Sequence, residues 1–350
     1  MAERTFFLQF QMAPGDVSML TALVRDLKLT YGDRYRVNVG TNFSAIWRHN
    51  PYIDPEVTAK AKGVEVIKMK YDIDYQKRNH VHFVTTFHRF FESKTKIHVP
   101  VLKPYADYHF SEEEKANPLI NGRYWIIIPG GKLDITIKFW NQARYQEVVN
   151  RLTPFGLNFV QEGATKKLCV HPPLDNVLNV VGATSVRDLM VNILHAEGVI
   201  CGVTFPMHAA GAMQRPCVVL AGAREEPWWE EYSNDYHRAF GDKCAKVQVP
   251  HRYLHTLGQV NCKDYNRQGQ HGCWRQRVVA LGDRAKHNNL LCMFPTKAEG
   301  GHMVAKCMDM ITTDHVVEAV MSYYEDGYLP PPGQSVATRN QWWSRNIPDV

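Results

Sequence analysis

The chain has 350 residues, 45% of them hydrophobic and 22% charged, more than one core usually holds and the right size for two α/β domains. A net charge of +6 is too mild over this length to specify a polyanionic partner, and no apolar run of about 18 residues offers a membrane span. The opening Met1-Ala2-Glu3-Arg4 runs into Thr5-Phe6-Phe7-Leu8 with neither a basic leader nor a small-residue cleavage site, so a cytoplasmic location is expected.

Strand-like and helix-like segments alternate through the first half, the pattern of βα units on a parallel sheet. Thr5 to Gln11 reads as a buried strand and Ala13-Pro14-Gly15-Asp16 as a turn. Val17 to Leu29 follows with Leu20, Leu23, Val24 and Leu27 at helical spacing. Tyr35 to Val39 and Val64 to Lys70 are further strands, and Val81 to Phe91 is an apolar helix whose aromatic rings belong to a core. Ser111-Glu112-Glu113-Glu114 has capping-box spacing, and Asn117-Pro118 then breaks the chain, which places a domain boundary at 118/119.

The pattern restarts with a strand over Tyr124 to Ile128, a helix over Asn141 to Leu152 and a strand over Leu157 to Gln161. Thr184 is expected to cap a helix that runs to His195. Gly198 to Gly202 reads as a strand, Met207 to Met213 as a helix and Cys217 to Ala221 as another strand. Asp314 to Tyr324 is an amphipathic helix, and Pro330-Pro331-Pro332-Gly333 leads into a tail, Arg339 to Arg345, rich in arginine and tryptophan. The organisation expected is a first domain over 1–118, a second over 119–311 and a closing helix with tail over 312–350.

Ligands of doubly wound sheets bind at the carboxyl ends of the strands, so Ala13 to Asp16, Pro129 to Lys138 and Val203 to His208 are the candidate loops. Asp16 can take a proton from an attacking hydroxyl as general base, or simply complement the dipole of its own helix. Gly130 and Gly131 open a turn whose backbone N–H groups, with Lys138, can hold a diphosphate; a solvated surface loop uses the same residues. Thr204, Phe205, Met207 and His208 end a strand and open a helix, whose free N–H groups suit an anion.

Taken together these segments resemble a known family. Gly15-Asp16, Asn50-Pro51-Tyr52-Ile53-Asp54, Ile128-Pro129-Gly130-Gly131, Lys138-Phe139-Trp140, Val181 to Leu189 and Pro206-Met207-His208-Ala209-Ala210 occur in the order and spacing of the ADP-heptose lipopolysaccharide heptosyltransferases, glycosyltransferase family nine, from about Phe7 to about Trp229. The resemblance implies a GT-B fold, two Rossmann-like doubly wound domains facing a central cleft, with acceptor domain first and donor domain second. It implies inverting transfer from an ADP-, UDP- or GDP-linked sugar to an acceptor hydroxyl, without an obligatory catalytic metal. On that reading Asp16 is the general base, Lys138 neutralises the leaving diphosphate, the loop from Thr204 to His208 holds the phosphates, Glu162 contacts the donor ribose, and Thr184 lies in the donor site. One departure stands out: the family reads Asp-(Ser or Thr)-Gly before Pro-Met-His, and this chain has Val203-Thr204-Phe205. The carboxylate is lost, and the Phe205 ring that replaces glycine either stacks on a sugar or base or packs.

Five of the eight cysteines fall in the last third. Cys262, Cys273, Cys292 and Cys307, separated by ten, eighteen and fourteen residues, with His271 and His302 nearby, allow a closed structural zinc site; buried free thiols are the plainer reading, since no gap is a tight CxxC.

Three functions remain open. The first is transfer to a surface glycan such as lipopolysaccharide core, with weak affinity for membranes. The second is transfer to a hydroxymethylated pyrimidine of DNA, with Arg275, Arg277, Arg284, Lys286 and the tail as a phosphate-tracking face, in a virus-infected bacterium. The third is a non-catalytic nucleotide-sugar or glycan-binding protein, which retention of Asp16 and Lys138 argues against.

Overall fold

The computed structural model describes residues 4–71, 79–165, 168–235, 240, 244–262 and 272–332. They divide into two compact units: Met1–Asn117 with Gly211–Met213 and Trp228–Pro250, and Pro118–Ala210 with Gln214–Pro227 and His251–Val350. Among the described residues no helix is long and apolar enough to cross a membrane.

In the first unit β1 (Arg4–Phe10) leads through α1 (Pro14–Tyr31) to β2 (Tyr35–Thr41), and β3 (Val64–Lys68) precedes α2 (Phe83–Thr95). The three strands are parallel in the order β2-β1-β3, so β1 is central. The fully enclosed face of β1 carries Phe6 and Leu8, and Leu20, Leu23, Val24 and Leu27 of α1 and Phe87 and Phe91 of α2 are buried with them. Phe6 and Phe91 meet edge to face at 5.2 Å, as do Phe10 and Phe87 at 5.3 Å. The short helix α3 (Glu112–Ala116) has the expected capping box, with Ser111 Oγ accepting from Glu114 N–H at 3.1 Å.

A polar knot lies inside this unit. Asp26, fully buried, accepts from Arg25 Nε at 2.8 Å and from Leu102 N–H at 3.1 Å, and pairs with His88 Nε2 at 2.9 Å. The Arg25 guanidinium also donates to Tyr105 O and Lys103 O, both at 2.9 Å, which ties α1 to the segment before α3. Burial pushes the Asp26 carboxyl up, but the His88 hydrogen bond and the Arg25 charge outweigh it and hold the group below its ordinary value.

The second unit is built on β4 (Trp125–Ile127), β5 (Gly131–Lys132), α4 (Gln142–Leu152), β6 (Phe159–Gln161), β7 (Cys169–Val170), β8 (Leu178–Asn179), α5 (Val186–His195), β9 (Gly198–Gly202), α6 (Phe205–Ala212), β10 (Cys217–Gly222) and β11 (Arg252–His255). Six of these strands form one parallel sheet in the order β11-β10-β9-β4-β6-β8. Counted along the chain that is 3-2-1-4-5-6, the Rossmann order, with its switch point between β4 and β9. Both central strands are buried on both faces, as covered parallel strands must be, and read as continuous apolar runs.

After β11 come β12 (Pro295–Lys297), β13 (Met303–Ala305), a short α7 (Lys306–Asp309) and the closing helix α8 (Thr313–Glu325). The closing helix packs on the six-stranded sheet of this unit. The Tyr323 hydroxyl explains why: it donates to Cys217 O at 3.0 Å and accepts from the N–H groups of Cys217 at 3.1 Å and Arg252 at 3.0 Å, at the starts of β10 and β11.

Candidate functional site

The switch point of the second unit puts two of the expected loops side by side, because β4 and β9 are neighbours and their following connections diverge. The link between them is Lys138. Its Nζ donates to Val203 O at 2.9 Å, at the end of β9, and pairs with Glu225 Oε1 at 2.9 Å in the connection after β10. Glu225 is only 4% exposed and also meets Arg224, so one carboxylate lies between two cations. The sequence reading missed Glu225. The same strand-end rule that selected three loops applies to the connection after β10, which opens on Arg224-Glu225-Glu226.

The Pro129 to Lys138 segment differs from the open turn expected. Gly131 and Lys132 pair antiparallel with Val170 and Cys169, so part of this backbone is spent on a short ladder. Gly130 is required by that ladder: a Cβ there would lie 1.9 Å from Val170 O.

Thr204 Oγ1 lies 3.3 Å from Gly202 O, and α6 begins at Phe205. Phe205 is 8% exposed, Met207 fully buried and His208 nearly so, which makes the Phe205 ring chiefly a packing group. Glu162, just past β6, is fully buried, accepting from Thr184 Oγ1 at 2.6 Å and Asn192 Nδ2 at 2.7 Å. Burial raises its pKa against those hydrogen bonds. Thr184 is therefore not the cap of α5. Ser185 is, its Oγ accepting from Asp188 N–H at 3.1 Å.

Asp16 lies in the first turn of α1, where its carboxylate accepts the Ala13 N–H at 3.1 Å. It is half-buried, at the carboxyl end of β1. A cavity of about 450 Å³ opens at the carboxyl ends of β1 and β3 in the same unit, lined by Gln9, Gln11, Lys68, Lys70 and Tyr71 among others. No sequence signal was read there, because two lysines at a strand end look like solvated charge.

The comparisons give this geometry a family. Residues 55–249, more than half of the chain, match the sequence profile of glycosyltransferase family 9 (heptosyltransferase). The chain belongs to that family. Its enzyme class is accordingly glycosyl transfer and its fold GT-B. Family 9 proteins are also among its structural neighbours. A glycosyl transferase family 9 protein from Veillonella parvula DSM 2008 superposes with a TM-score of 0.59 at 12% identity, covering 93% of this chain and 98% of that one. The iron-containing dodecameric glycosyltransferase TibC of enterotoxigenic E. coli gives 0.60 at 14% identity over 93% and 77%. The E. coli ADP-heptose lipopolysaccharide heptosyltransferase II gives 0.56 at 14% identity over 93% and 99%. No curated protein matches the chain.

One expectation is corrected within this family frame. Arg277, at the centre of the supposed phosphate-tracking face, is fully buried, its guanidinium donating to both Asp283 oxygens at 2.8 Å, to Asn288 Oδ1 at 2.7 Å and to Leu133 O at 3.0 Å. It serves the fold of this loop rather than a surface. The arginine and tryptophan tail and His271 lie outside the described residues. Among the described residues, no group of three or more His, Cys, Asp or Glu side chains is gathered as a metal would hold it.

Proposed function

We propose that this family 9 enzyme is an inverting transferase. It would move a sugar from a nucleoside diphosphate carrier, held at the switch point of the second unit, to a hydroxyl of a surface glycan of the lipopolysaccharide-core kind. The observation that carries the reading is the fixed ammonium of Lys138 at that switch point, held by Val203 O and Glu225. A cation there stabilises the charge that develops on the departing diphosphate. TibC, a neighbour in fold, has been captured with ADP-D-β-D-heptose, which makes an ADP-linked heptose the first donor to test. In this reading the N–H groups at the start of α6 are a second locus for the phosphates, and Glu162 with its partner Thr184 is assigned to the donor ribose.

Asp16 is the general base in this scheme. The acceptor oxygen attacks the anomeric carbon, its proton passes to the Asp16 carboxylate, and the carbon–oxygen bond to the diphosphate breaks with inversion. Orientation of that carboxylate by the Ala13 N–H supports the role. The cavity at the ends of β1 and β3, with Lys68 and Lys70, suits a phosphorylated or acidic acceptor sugar. Such an acceptor is consistent with a cytoplasmic enzyme that touches a membrane surface peripherally.

The test is a mass-spectrometric screen of ADP-, UDP- and GDP-sugars against lipopolysaccharide core and hydroxymethylated DNA in parallel. Transfer to glycan, with kcat lowered about 10²–10⁴-fold in Asp16→Asn, is expected. Turnover unchanged in that variant would remove Asp16 from the mechanism; sugar on DNA nucleosides alone would replace the acceptor class.

A further inference from the structure

Between β11 and β12 the described residues carry little regular structure, a 3-10 turn at Lys286–Asn289 standing out among them. Regular hydrogen bonding does little to hold this stretch of the second unit in place. Four cysteines from it and its flanks nevertheless converge: Cys262, Cys273, Cys292 and Cys307 all line one cavity of about 20 Å³. That volume takes roughly one water-sized sphere, so it suits a single ion and excludes a metabolite.

The backbone at each cysteine is fixed independently of the sulfurs. Cys262 N–H donates to Val260 O at 2.9 Å, Cys273 N–H to Ala223 O at 3.4 Å and Cys292 N–H to Arg277 O at 2.7 Å, while Cys307 O accepts from Thr256 Oγ1 at 2.8 Å. Gly272 permits the approach of the second of these, since a Cβ there would lie 2.3 Å from Arg224 O. Two cations, Arg275 and Lys306, share the cavity wall with otherwise apolar neighbours such as Ile137, Val260 and Phe294.

We propose that Cys262, Cys273, Cys292 and Cys307 are the ligands of one divalent thiophilic cation, zinc or iron, that staples the loop-rich segment to the sheet. Four thiolates suit either metal in a tetrahedral, closed site. Binding releases four protons to solvent and changes no oxidation state, leaving a complex of charge −2 with Arg275 on the cavity wall beside it. Binding would draw the four sulfurs from the wall they line onto one centre. The site is structural and independent of the glycosyl-transfer reading.

The experiment uses the full chain, purified without chelator or metal-affinity resin, with elemental analysis by mass spectrometry. About one zinc or iron per chain is expected, and which element appears distinguishes the two. Cys292→Ser and Cys307→Ser should lose it, and Cys244→Ala, a buried thiol elsewhere, should keep it. Because the serine variants can fail to fold, wild-type protein is also stripped with chelator and given cobalt(II), which should produce the charge-transfer absorption of a tetrathiolate and restore the thermal midpoint. Wild-type protein without bound metal and without a cobalt–thiolate band would overturn the proposal, as would metal content unchanged in soluble Cys292→Ser.

Discussion

Lys138 is held by two partners, Val203 O and the Glu225 carboxylate, and cannot wander as a surface lysine does. A fixed charge does more in a transition state than a mobile one, since no ordering is left to do when the diphosphate departs. Lys138→Met should therefore lower kcat about 10²–10³-fold with a smaller change in KM, read from steady-state transfer with the best donor of the screen. Equal loss in kcat and gain in KM would make the residue a ground-state binder instead. Its role as a lysine near a strand end was legible from sequence. Its partner was not, because 87 positions separate Lys138 from Glu225 and only the neighbouring of β4, β9 and β10 brings them together. Thr184 illustrates the same limit. Thr184 and Ser185 are equally good caps by residue type, and the choice falls to Ser185 because Glu162, 22 residues earlier, takes the Thr184 hydroxyl.

At the scale of elements, hydrophobic period located the strands and helices within a few residues, since the side chains that bury β1, β4, β9 and α1 are consecutive or nearly so. Two-residue ladders such as β5 with β7 carry no such signal, their pairing being decided by a glycine that admits Val170 O. The closing helix α8 was found from its apolar stripe, but where it docks depends on one hydroxyl. Tyr323→Phe removes three hydrogen bonds at the starts of β10 and β11 while keeping the ring in place. A loss of about 1–3 kcal/mol is expected from the unpaired backbone groups, measured by urea denaturation against wild type. No change in midpoint would mean that water replaces the hydroxyl there.

For the molecule as a whole, the buried knot of Arg25, Asp26 and His88 makes folding sensitive to acid. The folded Asp26 carboxyl lies below its ordinary value of 3.8, so the folded state binds its proton less readily than the unfolded chain. That contribution is fully present above about pH 4 and is lost as pH falls through the folded value. Asp26→Asn should cost about 3–5 kcal/mol at neutral pH and flatten the fall of the thermal midpoint below about pH 4, since it takes from the buried Arg25 its nearest carboxylate. A variant whose midpoint falls as steeply in acid as wild type would place the acid-sensitive group elsewhere.

The amino-acid sequence by itself determined the α/β class, the order of the strands and helices and the family, through local patterns: periodicity, caps, breakers and short motifs in fixed order. Tertiary structure alone decided what each polar side chain meets. It enclosed Arg277 among Asp283, Asn288 and Leu133 O, gave Lys138 a carboxylate and brought four cysteines from separate segments to one ion-sized cavity. The physical reason is range. Burial of apolar faces is written into neighbouring residues, whereas hydrogen bonds and ion pairs depend on distances between segments that only the packed sheet sets.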